Sequence, residues 1–167
     1  PYTALPFATA MALQKDTPMV MRRKEAKKYG TKKIIEGDYR DGQTCLIVED
    51  LVTSGLSVME TVEPLQDVGL KVSDVVVLLD REQGGRDNLE ARGMRLHAVL
   101  KISEVLDILV QDGSISAATA DTVREFVRNN KVLKPVEEEE KPAPPQRRFD
   151  ERAKTARGPV AQKLLNL

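Results

Sequence analysis

The 167-residue chain has no tryptophan, and aromatic residues make up only 4% of it. A surface that stacks nucleic-acid bases needs several exposed rings, so that function is disfavoured. Lysine plus arginine number 26, and aspartate plus glutamate also number 26. With no net charge, no global field draws the protein to nucleic acid or to an anionic membrane. Cys45 is the single cysteine, so no disulfide can form within the chain. That fits a reducing compartment, and a cytoplasmic location is the expectation. No apolar run approaches the roughly 18 residues of a spanning helix, and no signal-peptide pattern is present. Neither a GK[ST] phosphate loop nor a GxGxxG fingerprint occurs. The chain opens Pro1-Tyr2 without a methionine and is expected to be a fragment.

What is present reads as alternating strands and helices. Leu46-Ile47-Val48 and Val75-Val76-Val77-Leu78-Leu79 are short, β-branched runs whose neighbours do not alternate in polarity. This predicts strands of a parallel sheet buried on both faces. Between them, Leu56, Met59, Val62, Val68 and Leu70 give a helical stripe. Ser57 and Glu60 have capping-box spacing, and Gly69 fits a helix stop. Pro64 should kink that helix or end it early. Strand, helix, strand over this length is a βαβ crossover. Residues 94–100 read as a further strand. Helices are expected through Leu109 with Ser103 as cap, from Ala117 to Val127 and from Leu5 to Leu13, and a strand over Thr17 to Met21. The fold class is α/β. Residues 134–158 hold four consecutive glutamates and four prolines, and read as a charged, solvated linker.

The stretch LIVEDLVTSG at 46–55 carries the chemistry. A buried strand runs into two adjacent carboxylates, Glu49 and Asp50, then Thr53-Ser54-Gly55 and a helix. In open α/β sheets, ligands bind beyond the carboxyl ends of strands. Gly55 permits positive φ, and a helix start offers free N–H groups to an anion. Two acceptors beside a phosphate cradle suit the hydroxyls of a sugar phosphate. The bland alternative is a solubilised turn with a helix cap. Seven cations against Glu25 between Arg22 and Lys33 read as a catalytic lid or as a solvated or nucleic-acid-binding loop. The bland reading of Arg81 pairs it with Asp80 or Glu82 in a surface network. His97 reads as a core or edge residue. Met11, Met19, Met21 and Met59 read as core filler.

The 46–55 stretch resembles the phosphoribosyl pyrophosphate motif of type I phosphoribosyltransferases. RRKEAKKYG at 22–30 resembles the mobile catalytic loop of orotate phosphoribosyltransferases, and LLDREQGG at 78–85 their substrate-side segment. PYTALPFAT at 1–9 is similar to the loop and helix preceding both. The resemblance implies that residues 1–133 are the C-terminal part of such a domain: a parallel sheet flanked by helices, incomplete at its N-terminus. The linker at 134–158 and VAQKLLNL, within 159–167, resemble the junction to orotidine-phosphate decarboxylase in bifunctional enzymes.

By the same resemblance, Glu49 and Asp50 hold the ribose hydroxyls. Thr53, Ser54, Gly55, Leu56 and Ser57 bind the 5′-phosphate, and Arg23, Lys24 and Lys27 grip the pyrophosphate. Thr53 and Arg81 meet orotate. Lys27 and Asp50 are the catalytic residues, Lys27 reaching across a homodimer into the partner's site. Tyr29 stands where bacterial relatives have histidine, and Thr3 where they have lysine. The implied cofactor is Mg2+, bound mainly through substrate oxygens rather than by a protein metal site. The implied reaction gives orotidine 5′-phosphate for UMP synthesis, with a decarboxylating second domain in the intact protein. The stretch given is expected to be inactive alone. The alternative is a non-catalytic phosphoribosyl-pyrophosphate sensor of the same fold.

Overall fold

The computed structural model describes residues 3–23 and 34–133. The chain divides after Val136, and only the first unit contains described residues. The linker and the 159–167 segment proposed for 134–167 lie outside them. Five helices and five strands are described. They run as α1 (Leu5–Lys15), β1 (Met21–Arg22), β2 (Ile35–Glu36), β3 (Thr44–Val52), α2 (Leu56–Asp67), β4 (Lys71–Asp80), α3 (Gly85–Glu90), β5 (Arg95–Lys101), α4 (Ile102–Gln111) and α5 (Ala117–Asn129).

The predicted βαβ crossover is present. β3, α2 and β4 follow one another, and β3 pairs with β4 in parallel, Ile47 opposite Val75. β5 adds in parallel to the far side of β4, Val75 opposite Leu96, so the sheet order is β3-β4-β5. Ile47, Val75 and Leu96 therefore stand at one level of the sheet, and all three are buried. Val58, Val62 and Leu65 of α2 and Leu89 of α3 belong to the same core. Each such aliphatic side chain contributes roughly 1.5–3 kcal/mol through its removal from water.

The strands are longer than their apolar runs, and they are not buried on both faces. The burial of β3 and β4 alternates, and Leu46 and Leu78 remain 46% and 42% exposed. The other sheet face carries Asp74, Arg95 and His97 among the aliphatics. Asp74 accepts from Ser73 Oγ, from Arg95 at 2.9 Å and lies 2.7 Å from His97 Nε2. These bonds hold the Asp74 carboxyl well below the usual carboxylate range. His97 is thus an edge-strand residue on a partly solvated face, not a core residue.

Several local expectations are corrected. The 17–21 strand is confined to Met21–Arg22, and it pairs antiparallel with Ile35–Glu36 outside the main sheet. Pro64 lies within α2, which continues to Asp67. The carbonyl Pro64 leaves without its usual donor is that of Glu60, an exposed residue whose carbonyl water can reach. Ser57 and Glu60 form no capping box, because the N-cap is Gly55. Gly69, at φ +85, does end the helix: its N–H bonds Gln66 O and that of Leu70 bonds Leu65 O, a Schellman arrangement. The N-cap of α4 is Lys101, two residues before the expected Ser103, and it is bonded to Glu104. Ser116 caps α5 by accepting from Thr119 N at 3.1 Å. The six-residue helix α3 carries too short a pattern to be read from sequence. Of the methionines, Met59 packs on the core and Met11 is 39% exposed. Among the described residues no helix is long and apolar enough to cross a membrane.

Candidate functional site

Parallel pairing puts the carboxyl ends of β3, β4 and β5 at one end of the sheet, and the loops that follow share that end. After Val52 the chain bends through Thr53 and Ser54 to Gly55 at φ +79, which serves as N-cap of α2. A left-handed backbone costs a non-glycine residue roughly 1–2 kcal/mol. A Cβ here would also sit 3.2 Å from Leu89 and 3.3 Å from the Gly85 carbonyl. No side chain caps α2. Its first amides therefore keep their donors for a ligand, and the helix dipole favours an anion there. Thr53 and Ser54 are half-buried, while Leu56 and Ser57 lie exposed at the start of the helix.

The two acids are not equivalent. The ladder with β4 continues through Leu51 and Val52, so Glu49 and Asp50 lie inside the last half of β3 rather than at its end. As consecutive strand residues they project to opposite faces. Glu49 is 3% exposed, and its Oε1 has no hydrogen-bond partner among the described residues. Burial, reinforced by the Asp50 charge, pushes its carboxyl up to about 7. Asp50 is half-buried. An orphaned, dehydrated carboxylate oxygen is costly unless a ligand donates to it.

The segment after β4 brings in Arg81. Its N–H donates to Val52 O at 3.0 Å, which ties it to the end of β3. The surface network that could have claimed its guanidinium is otherwise engaged. Asp80, 2% exposed, takes the Glu82 N–H at 2.8 Å and Arg86 at 3.4 Å. Glu82, at φ +56, accepts from Ser103 N at 2.8 Å at the start of α4. The half-buried Arg81 side chain joins neither carboxylate.

Arg23 follows β1, and its guanidinium meets Glu36 of β2 at 2.9 Å while its N–H donates to Ile34 O. Lys24, Lys27 and Tyr29 lie outside the described residues. Thr3 is exposed in the turn before α1. The structure thus brings Thr53 to Ser57 and Arg81 to one end of the sheet, while Glu49 and Asp50 stand short of that end within β3, on opposite faces. A cavity of about 450 Å³ lies elsewhere, between α1, the 17–22 segment and β3, lined by Met11, Met21, Cys45 and Leu65 among others. Burial pushes the Cys45 thiol up, away from a reactive thiolate.

Sequence reasoning missed Glu82 and Asn88. Glu82 earns its place through a left-handed backbone that only tertiary contacts select. Asn88 donates to the Ser54 carbonyl at 2.8 Å across 34 residues. No short-range pattern marks either one.

A family model described as a phosphoribosyl transferase domain matches residues 1–94. A uridine 5′-monophosphate synthase of Bos taurus is 51% identical over 172 residues, covering 100% of this chain and 36% of that protein. An orotate phosphoribosyltransferase of Caenorhabditis elegans is 46% identical over 66% of this chain and 48% of its own length. Among solved structures, the UMP synthase of Leishmania donovani superposes with a TM-score of 0.70 at 33% identity, over 77% of this chain and 28% of that one. The chain therefore spans about a third of the length of the bifunctional relatives it matches.

Proposed function

The chain belongs to the phosphoribosyl transferase family, and from that premise we propose that it forms part of an orotate phosphoribosyltransferase domain within a uridine 5′-monophosphate synthase. The reaction transfers phosphoribose from its pyrophosphate donor to N1 of orotate. The bond from C1′ to the pyrophosphate oxygen breaks, the N1–C1′ bond forms as N1 gives up its proton to the departing pyrophosphate or to water, and orotidine 5′-phosphate and pyrophosphate leave. One observation carries the reading: an uncapped helix start at a left-handed Gly55, five residues beyond the Asp50 carboxylate.

Each residue has a physical task. The amides at the start of α2, with Thr53, Ser54 and Ser57, hold the 5′-phosphate. Glu49 and Asp50 are the acceptors for the ribose hydroxyls and fix the ring as positive charge builds on it; they leave β3 on opposite faces, so both reach one ribose only if the strand end turns on donor binding. Arg81, unclaimed by Asp80 or Glu82, grips the orotate carboxylate as a two-pronged donor, and Thr53 stands beside it. Arg23, Lys24 and Lys27 stabilise charge building on the departing oxygens, Lys27 from the partner subunit of a homodimer. Such donors are worth on the order of 3 kcal/mol each in the barrier.

Mg2+ fits as the counter-ion of the pyrophosphate. Among the described residues no three His, Cys, Asp or Glu gather into a cage. The donors at hand, carboxylate and phosphate oxygens, are the hard ligands this ion takes alongside water. Bound there, it would neutralise charge on the leaving group.

In the intact protein a second domain beyond residue 158 would decarboxylate the product to UMP, and the assembly would work in the cytoplasm. A non-catalytic sensor is not favoured, since the relatives carry the names of a synthase and a transferase. Orotate-dependent pyrophosphate release by the full-length protein tests the reading. Turnover with orotate is expected, and retained donor binding without turnover would replace the enzyme with the sensor.

A further inference from the structure

The carboxamide of Asn88 is 4% exposed, and both directions of its Nδ2 are spent on backbone. It donates to Ser54 O at 2.8 Å, in the phosphate loop, and to Val132 O at 2.7 Å, beyond α5. The segment that supplies Val132 is bound along the substrate-side loop as well. Val132 N donates to Gln83 O at 3.0 Å, and Gln83 Nε2 donates to Asn130 O at 3.3 Å. The fit is close: a Cβ on Gly84 would lie 2.7 Å from the Val132 carbonyl oxygen. Residues 130–133 thus bond the loop after β4 and, through one side chain, reach the loop after β3.

We propose that Asn88 is a positioning residue for the phosphate loop, held in register by residues 130–133 acting as a strap. The proposal rests on the reading of 53–57 as the donor's phosphate site. Two carbonyl oxygens converge on a single amide nitrogen. Each is an acceptor, and only a side chain with two N–H groups can satisfy both. Removing the amide takes the donor from two part-buried acceptors beside one another, which costs more than a neutral exchange. Relief comes when the Ser54 carbonyl turns to water, and that turn moves the peptide leading into Gly55. The donor's 5′-phosphate then loses a preset cradle, while Arg81 keeps its own bond to Val52 O.

The test uses the full-length protein and hydrogen–deuterium exchange of the 53–57 amides, a readout that needs no substrate. Asn88→Ala should exchange faster than wild type. Asn88→Asp, which matches the shape but presents acceptors to acceptors, should exchange fastest. Val132→Pro, which removes the N–H given to Gln83, should also speed the loop. In steady state Asn88→Ala should raise the donor KM roughly tenfold, about the worth of one hydrogen bond, with the orotate KM within about twofold of wild type. If Asn88→Ala fails to fold, Asn88→Ser, which keeps one donor, should fall between wild type and Asn88→Asp. Wild-type exchange rates in Asn88→Asp, or equal rises in both KM values, would overturn the positioning role. An unchanged loop in Val132→Pro would overturn the strap. Should the wild type fail to turn over orotate, the proposed activity falls while the exchange result still decides this inference.

Discussion

The loop after β3 turns on Gly55 and the bare amides of α2, whereas the loop after β4 is held where its own side chains and backbone bond the backbone of distant parts of the chain. Both flank the same end of the sheet. In the first, one unbroken stretch, 44–56, contains the strand, the acids, the turn and the helix start. In the second, Arg81 depends on Val52, Glu82 on Ser103, and Gln83 on residues 130–132. Binding a phosphate with backbone donors needs only local conformation. Holding one guanidinium ready for a planar acid needs its competitors occupied elsewhere, and Asp80 and Glu82 are occupied by Arg86 and Ser103.

The contrast can be broken at Arg81. Arg81→Ala should cut kcat/KM for orotate about a hundredfold in the full-length protein. The donor KM should hold and unfolding should shift by no more than about 0.5 kcal/mol. An equal loss on both substrates in steady-state assays would dissolve the division between the loops.

Gly55→Ala attacks the other loop. Left-handed strain and the contact with Leu89 should raise the donor KM roughly thirtyfold, equivalent to about 2 kcal/mol. Titration calorimetry with the donor checks this directly, and unchanged affinity would show that the phosphate does not need this turn.

Glu49 sharpens the comparison through pH. Ionised, its carboxyl offers both oxygens as strong acceptors to hydroxyls, whereas protonation turns one of them into a donor, and burial pushes the carboxyl up to about 7. Donor affinity should therefore rise about tenfold between pH 6 and pH 8, and Glu49→Gln should flatten that profile. The stability effect has the opposite sense. The raised carboxyl favours the fold most below its ordinary value of 4.5, and that contribution is lost as pH rises through about 7. Thermal melts of Glu49→Gln should accordingly gain on wild type at pH 8 and not at pH 4. Identical pH profiles for the two proteins would remove Glu49 from the diol site.

The smallest effect belongs to Glu82. Glu82→Ala frees the Ser103 amide and should cost about 1 kcal/mol in urea unfolding. The orotate KM should rise about fivefold through loss of the loop's anchor, with the donor KM unmoved. A wild-type orotate KM would show that Arg81 needs no such support.

This difference also explains what the sequence could reveal. β3, α2 and β4 were legible because apolar runs and Gly69 report local structure, and Thr53 to Ser57 follow from the same stretch. The strands' half-exposed face was not legible. Val77 and Leu78 look alike in sequence, yet Val77 is 1% exposed and Leu78 42%, because burial is decided by what packs above each. Asn88 escaped because its two partners lie 34 and 44 residues away. The Ser57–Glu60 spacing misled for a related reason: Gly55 had already set where the helix begins.

Sheet order here equals chain order. Each new strand docks on the one made just before it, so every pairing closes a modest stretch of polypeptide and carries a small loop-closure penalty. A chain emerging from the ribosome can complete β3 with β4, then add β5, without waiting for distant partners. Residues 130–133 emerge after all of them. The scaffold should therefore assemble early and the two loops set late, so that pulse-labelled refolding shows amides of 75–79 protected before those of 53–57.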